Sequence, residues 1–175
     1  GVSRHLKGFL ERLAPGARIL ELGCGGGRDA EAMIAAGFQV DPADGTPEIA
    51  QKAQARLNRP VRVMCFDELD AEAAYDAIWA NASLLHVRRH DLPAVLRLVF
   101  RALKPGGLHL ASYRAGSAEG RDSLGRYFNY LSRDDLVSIY AQSGTWETLS
   151  LIEYQGSGYE TAEIPWLAIT VRKPG

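Results

Sequence analysis

Between Glu21 and Arg28 the chain reads Glu-Leu-Gly-Cys-Gly-Gly-Gly-Arg. A stretch so rich in glycine extends neither a helix nor a strand. Glycine loses the most backbone freedom on ordering, so it is useful where a turn enters positive φ or where bare backbone must meet a neighbour. The flanks define what the bend joins. Before it, Arg18-Ile19-Leu20-Glu21-Leu22 has the apolar content of a buried strand; after it, Arg28 to Ala36 is built of helix formers and closed by Gly37. Strand, glycine bend and helix in that order leave room for a ligand. They also present the unpaired N–H groups of a helix N-terminus, which suit a carboxylate or a phosphate.

The alternation continues along the chain. Leu6, Phe9, Leu10 and Leu13 have helical spacing, and Pro15-Gly16 stops that helix before the first strand. A second strand is expected around Phe38 to Ala43, followed by a helix with Thr46 as N-cap, Pro47 at its first position and Glu48 in its first turn. Val61 to Phe66 reads as a third strand and Tyr75 to Ala80 as a fourth. Leu92, Val95, Leu96, Val99 and Leu103 then mark one helical stripe, which Pro105-Gly106-Gly107 ends ahead of a fifth strand, Leu108 to Tyr113. Repeated β-α units predict an α/β fold with a mostly parallel sheet, right-handed crossovers and helices on both faces. The last third departs from this: a helix over Ser132 to Gln142 precedes two strand-like runs, Trp146 to Tyr154 and Trp166 to Arg172. Gln155 to Pro165 between them is short for a crossover, so the final pair is expected to be an antiparallel hairpin.

Two ligand classes compete for the bend. A dinucleotide fingerprint, G-x-G-x-x-G, places Arg28 where its last glycine should stand. Glu21 would repel phosphates and attract an amino group, which favours a zwitterionic amino-acid moiety with an adenosine tail. Asp44 follows Gly23 at the ~20-residue distance at which a carboxylate meets a ribose diol. Asp41 competes with it for that role.

These residues resemble the class I S-adenosylmethionine-dependent methyltransferases, whose first motif, E-x-G-x-G-x-G, is matched by Glu21, Gly23, Gly25 and Gly27. Asp44 after the second strand, Phe66-Asp67 after the third and Leu103-Lys104-Pro105-Gly106-Gly107 before the fifth continue the match in order. Cys24 to Asp29 and Trp79 to Val87 look most like small bacterial tellurite-resistance-like methyltransferases. The resemblance implies a Rossmann-like seven-stranded sheet with the last strand beside the fifth, and S-adenosyl-L-methionine as cofactor. It places Glu21, Gly23, Cys24, Gly25, Gly27, Arg28, Asp44, Gly45, Phe66, Asp67, Asn81 and Ala82 against that cofactor. Similar proteins carry a further helical segment ahead of the first strand, whereas Gly1 to Ala17 alone precede it here, so a truncated chain or a more open site is expected.

Methyl transfer needs alignment more than a nucleophile. Where the acceptor must lose a proton, His86 and Tyr113 are the candidate bases by position, and Arg114, Arg126, Tyr127, Asn129 and Tyr130 are candidates for lining an acceptor pocket. A small-molecule acceptor is expected, its identity open between tellurite or another chalcogen anion, a small organic acid and a halide-like acceptor. The alternatives are an NAD(P)-dependent oxidoreductase and a protein that binds S-adenosylmethionine without catalysis. No metal motif is present, and Gly156-Ser157-Gly158 lacks the strand–turn–helix context of a nucleophile elbow.

Composition bounds the rest. A chain of 175 residues with 46% apolar side chains and a formal net charge of −1 predicts one domain, with no general electrostatic attraction for nucleic acid or an anionic membrane. No apolar run reaches the length of a membrane span. Two cysteines, Cys24 and Cys65, are too few for a disulfide scaffold and point to the cytoplasm. A monomer or weak homodimer is expected.

Overall fold

The computed structural model describes residues 1–116, 119–121, 123–157 and 163–175. Its elements are α1 (Leu6–Glu11), β1 (Arg18–Leu22), α2 (Arg28–Ala35), β2 (Gln39–Asp44), α3 (Pro47–Leu57), β3 (Arg62–Val63), β4 (Tyr75–Ala80), α4 (Leu92–Ala102), β5 (Leu103–Arg114), β6 (Glu119–Arg121), β7 (Tyr127–Asn129), α5 (Arg133–Ser143), β8 (Glu147–Ser157) and β9 (Glu163–Arg172). Seven strands form one sheet in the order β3-β2-β1-β4-β5-β9-β8, and β6 and β7 form a separate antiparallel pair. The pairs from β3 to β5 are parallel; β9 is antiparallel to both β5 and β8. The expected fold is therefore present, with the last strand lying beside β5.

Strand alternation divides the core into two layers. Ile19, Ala77, Trp79, Leu108 and Leu110 project to one face, where Leu6 and Phe9 of α1 and Ala30 and Met33 of α2 cover them. Leu20, Leu22, Ile78, Ala80, Ala111 and Tyr113 project to the other, under Leu92, Leu96 and Val99 of α4 and Leu136 and Tyr140 of α5. Fully burying a residue such as Leu96 contributes roughly 1.5–3 kcal/mol by the hydrophobic effect, which is why the apolar stripe of α4 fixes its docking. α3 packs through Ala50 and Ala53 onto Cys24 and Val61, beside the glycine bend.

Three local readings are corrected. The third strand is only Arg62–Val63, because Cys65 to Glu68 closes on itself: the Cys65 N–H donates to Glu68 Oε1 at 2.7 Å and the Glu68 N–H to the Cys65 carbonyl at 3.0 Å. That local pairing competes successfully with the sheet ladder. Thr46 occupies the N-cap position of α3, yet its hydroxyl makes no capping bond; the Asp44 carboxylate accepts from its N–H instead, at 3.0 Å. Pro105-Gly106-Gly107 does not separate α4 from β5 but lies within β5, tied to the chain end by Gly106 N–H to the Lys173 carbonyl and Lys173 N–H to the Gly107 carbonyl.

Tyr113 is the fourth correction, and the reason is parity. An odd position on β5 points to the α4/α5 face, away from the glycine bend. Its hydroxyl lies 2.9 Å from that of Tyr140, which lies 2.9 Å from His109 Nε2, while His109 Nδ1 lies 3.1 Å from the Ile78 carbonyl. Burial lowers the His109 pKa to about 4 and raises that of Tyr113, so both are neutral near pH 7. The carbonyl only accepts, so His109 carries its proton on Nδ1. Tyr140 therefore donates to Nε2 and Tyr113 to Tyr140. Every proton of this chain is committed, and Tyr113 is no catalytic base. Tyr113→Phe is expected to cost about 1–2 kcal/mol in urea unfolding, by stranding the Tyr140 acceptor, while leaving S-adenosylhomocysteine affinity by calorimetry within twofold of the parent.

Candidate active site

The carboxyl ends of β1, β2 and β4 are tied together by three hydrogen bonds. The Cys24 N–H donates to the Ala43 carbonyl at 2.8 Å, the Gly25 N–H to Asp44 Oδ2 at 3.0 Å, and the Ser83 hydroxyl to the Leu22 carbonyl at 2.8 Å. Gly23 makes this closure possible. It has φ +71°, and a Cβ placed there would stand 2.5 Å from Ser83 Cβ, so both conformation and space require glycine. At Gly25, with φ +56°, an added Cβ would meet nothing within 4 Å. One glycine is needed for contact within the protein; the other leaves backbone bare toward open space.

Glu21 sits at the end of β1 on the α1/α2 face. It is 3% exposed, and its Oε1 has no hydrogen-bond partner among the described residues. Desolvation by burial raises its pKa well above the usual carboxylate range, with Asp29 and Asp44 adding to the effect. A buried acceptor left this way is costly unless a ligand supplies the donor, and its chemistry calls for an ammonium or another strong N–H donor.

Asp44 ends β2. One oxygen accepts from Gly25 N–H and the other from Thr46 N–H, each at 3.0 Å. Each oxygen keeps further acceptor capacity, which matches a vicinal diol. Asp41, its competitor, points elsewhere: it accepts from Arg18 Nη2 at 3.0 Å and from the Tyr75 hydroxyl at 2.8 Å. Gly45 is exposed beside Asp44. Cys24 spends its N–H on Ala43 and buries its side chain against α3, where burial pushes the thiol up to about 12; it is a packing residue and not a nucleophile. Arg28 opens α2 with its side chain exposed.

Two clefts flank this center. One, of about 480 Å3, is lined by Phe66, Asp67, His86, Val87 and Val95. Phe66 and Asp67 thus face the same space as His86, whose Nδ1 lies 2.8 Å from the Tyr127 carbonyl. Arg89 donates to Asn129 Oδ1 and the Tyr130 carbonyl, so the β7 region is drawn to this side as well. The other cleft, of about 350 Å3, is lined by Asn81, Ala82, Ser112, Tyr154, Trp166 and the segment Ser3 to His5. Here the Ser112 hydroxyl accepts from Ala82 N–H at 2.7 Å and donates to Asn81 Oδ1 at 3.0 Å. Ala82 is held at φ +51°, a costly conformation for a residue with a Cβ. His86 thus lines one cleft and Asn81 and Ala82 the other, whereas the sequence expects all three near the reacting end.

Sequence reasoning missed Ser83, Ser112, Tyr154, Trp166 and His5. The alternation of β5 could have found Ser112, since it shares the face of Leu108 and Leu110. Nothing local marks Ser83. Of the Gly156-Ser157-Gly158 segment, Gly158 lies outside the described residues. Among the described residues, no three His, Cys, Asp or Glu side chains cluster to hold a metal ion, and no helix is long and apolar enough to cross a membrane.

Comparison with known proteins agrees with this geometry. A family described as "Methyltransferase domain" matches residues 2–149. A curated ubiquinone biosynthesis O-methyltransferase of Xanthomonas campestris pv. campestris is 38% identical over 100 residues, covering 53% of this chain and 41% of that protein. The match thus spans less than half of the relative's length. Among solved structures, an S-adenosylmethionine-dependent methyltransferase of Methanosarcina mazei superposes with a TM-score of 0.85 at 18% identity, over 95% of this chain and 96% of that one. The 1,6-didemethyltoxoflavin-N1-methyltransferase of Burkholderia thailandensis, solved with 1,6-didemethyltoxoflavin and S-adenosylhomocysteine, gives 0.81 at 22% identity, over 98% of this chain and 78% of that one. With the motif register, the strand order and the family match in agreement, the chain belongs to the class I S-adenosylmethionine-dependent methyltransferases.

Proposed function

We propose that residues 1–175 act as one domain that moves a methyl group from S-adenosylmethionine to a small-molecule acceptor. The observation that carries this reading is the buried carboxyl oxygen of Glu21 beside a glycine bend, without a partner among the described residues, because it asks for the ammonium of an amino acid and repels a pyrophosphate. Glu21 would hold the cofactor's amino group, and the open backbone at Gly25 and Gly26 with Arg28 at the α2 N-terminus its carboxylate, while Gly23 and Gly27 close the bend against Ser83 and Leu57. Asp44 would hold the ribose hydroxyls beside Gly45. Phe66, Asp67 and His86 would border the base, and Asn81 and Ala82 the reacting end.

When bound, the cofactor supplies an electrophilic methyl group on a sulfonium, so the chain's own part is to align an acceptor and exclude water. An oxygen acceptor is supported by the name of the Xanthomonas relative. The aromatic walls at Tyr154 and Trp166 favor a small organic acceptor over tellurite, the reading attached to the narrower resemblance. Free Cys24 and Cys65 suit the reducing cytoplasm, and near-neutral charge suits a monomer or weak homodimer that binds no nucleic acid.

Calorimetric titration with S-adenosylhomocysteine and with NAD tests the reading. Uptake of the first alone is expected, and uptake of the dinucleotide alone would overturn it. Conversion to demethylated cofactor with a metabolite panel then separates an enzyme from a non-catalytic binder.

Glu21→Gln should show opposite effects on stability and binding. Because the folded pKa of Glu21 is raised, the native state holds more protons than the unfolded chain above about pH 4.5. Stability of the free protein therefore falls as pH rises from there through the folded pKa. The variant is expected to remove that slope and melt higher near pH 7. It should also bind S-adenosylhomocysteine about 10-fold or more weakly, the loss of a charged hydrogen bond. Thermal melts across pH and calorimetry read the two effects. Gly23→Ala is expected to cost about 2 kcal/mol or more and to lose cofactor binding. Adding Ser83→Gly should recover only part, since it relieves the clash and not the φ strain.

A further inference from the structure

Glu21 is the odd member of a group of acids around the glycine bend. Asp29 of α2 accepts from the Ser3 N–H at 2.9 Å and from the Trp79 indole at 3.0 Å, and Asp44 at the end of β2 accepts from the N–H groups of Gly25 and Thr46, each at 3.0 Å. No described donor reaches Glu21 Oε1, in a residue that is 3% exposed. Its ladder neighbors bring no charge to it: Pro42 stands opposite it on β2 and Trp79 on β4. In the bend, the Cys24 thiol is pushed up to about 12 by burial, with Glu21 and Asp44 adding, so it is neutral near pH 7. From the segment ahead of α1, His5 is kept neutral by burial with Arg4 assisting, and the Arg4 guanidinium lies 4.8 Å from the Tyr154 ring centroid. Arg28 opens α2 with its side chain exposed. The charges that act on Glu21 are therefore those of Asp29 and Asp44, both of its own sign.

An ionized carboxylate in this position loses its hydration, gains no donor and is repelled by both neighbors. A neutral carboxylic acid avoids all of these costs. An ammonium reverses them, since it supplies N–H donors and cancels the charge in surroundings where an ion pair attracts far more strongly than in water.

We propose that the site exchanges a proton for its cofactor: Glu21 is a neutral acid in the free protein and yields its proton to water when the ammonium of an amino-acid moiety arrives, so that acidification releases the cofactor and a rise toward neutral pH favors its capture. The inference rests on the methyltransferase reading above and adds a pH response to it. In the exchange the Glu21 O–H bond breaks with its electron pair left on the carboxylate. The proton passes to solvent, and the freed oxygen accepts an N–H of the ammonium, whose own protons stay on nitrogen. Because binding releases a proton, affinity rises with pH by up to about tenfold per unit. The rise runs from the pH at which loaded Glu21 ionizes to the higher pH at which free Glu21 does, and affinity is level above it. The proton that stabilizes the free fold on the acid side is the one the ligand must displace.

Titration calorimetry of the full chain with S-adenosylhomocysteine, in phosphate and in Tris at one pH, counts the proton, since each proton released adds the buffer's own heat of protonation. The working range is about pH 5 to 7, where an α-amino group is already an ammonium and the ligand supplies no proton. Release approaching about one proton per chain is expected somewhere in this range, with affinity rising across it. Methylthioadenosine, which has the adenosine and the thioether but no amino-acid end, should bind without release. Glu21→Gln cannot ionize; it should bind S-adenosylhomocysteine without release and with an affinity level in pH, so its deficit against the parent closes toward the acid end. A purely space-filling Glu21 would leave that deficit constant. Methylthioadenosine decides the question if the variant fails to fold. A parent chain that binds S-adenosylhomocysteine with no proton released anywhere in the range overturns the exchange and leaves the cofactor reading intact. So does release that persists in Glu21→Gln or is matched by methylthioadenosine. Failure to bind S-adenosylhomocysteine at all sinks the methyltransferase reading itself, and the exchange with it.

Discussion

The approach of Gly23 to Ser83 is the contact on which the site depends. Without a Cβ at Gly23, the end of β1 lies against the turn after β4, and the Ser83 hydroxyl reaches the Leu22 carbonyl. With that junction closed, the next residues are free to tie β2: Cys24 bonds Ala43, and Gly25 bonds the carboxylate of Asp44. Three parallel strands thus finish in one linked edge, tied by one backbone pair and by the Ser83 and Asp44 side chains. Helix N-termini and strand ends are natural places for ligands in open α/β sheets. Here the glycine spacing turns that tendency into a site by separating the residue that must touch protein from the residue that must not.

Glu21 shows how such a site is maintained at a cost to the fold. A 3%-exposed carboxylate among Asp29 and Asp44 disfavors its own ionization, and nothing in the described structure offsets the lost hydration. Asp29 is partly compensated, since it accepts from the Ser3 N–H and the Trp79 indole. Asp44 is compensated by two N–H groups. Of the three acids, the one with an unpaired oxygen is the one a ligand ammonium would complete. Contrast with His109 sharpens the point. That side chain is equally buried, yet both ring nitrogens are paired, so its lowered pKa reports core packing and not a waiting ligand.

Much of the architecture was legible because it rests on patterns with a fixed period. β1 and β4 fall where apolar content placed them, and the stripe of α4 docks as its spacing requires. The bend and Asp44 were readable because glycine and a carboxylate at a set distance from it have few other uses. The misreadings share a different cause. β3 yields to a turn whose deciding bond, Cys65 N–H to Glu68, involves side-chain chemistry that hydrophobic pattern does not encode. Tyr113 has the chemistry of a base on the right strand, but the single-residue alternation of β5 turns it to the face opposite Ser112. His5, Tyr154 and Trp166 meet only through tertiary packing across most of the chain's length, and no local period brings them together.

That last difference explains why the glycine bend and the cleft beside Ala82 carry such unequal signals in the sequence. The bend and Asp44 belong to consecutive βα turns, so they occur in a fixed order at near-fixed distances. The cleft beside Ala82 is assembled from a segment ahead of β1, a hydroxyl on β5 and an aromatic pair on the antiparallel strands, which lie far apart in sequence. Ala82 joins the two. Its positive φ is stabilized by the Ser112 bond to its N–H, and the same Ser112 lies against Tyr154, so the strain at the end of β4 is borne by a residue of the β5 face that lines this cleft. A change at Tyr154 therefore reaches the end of β4 through the Ser112 hydroxyl as well as through shape.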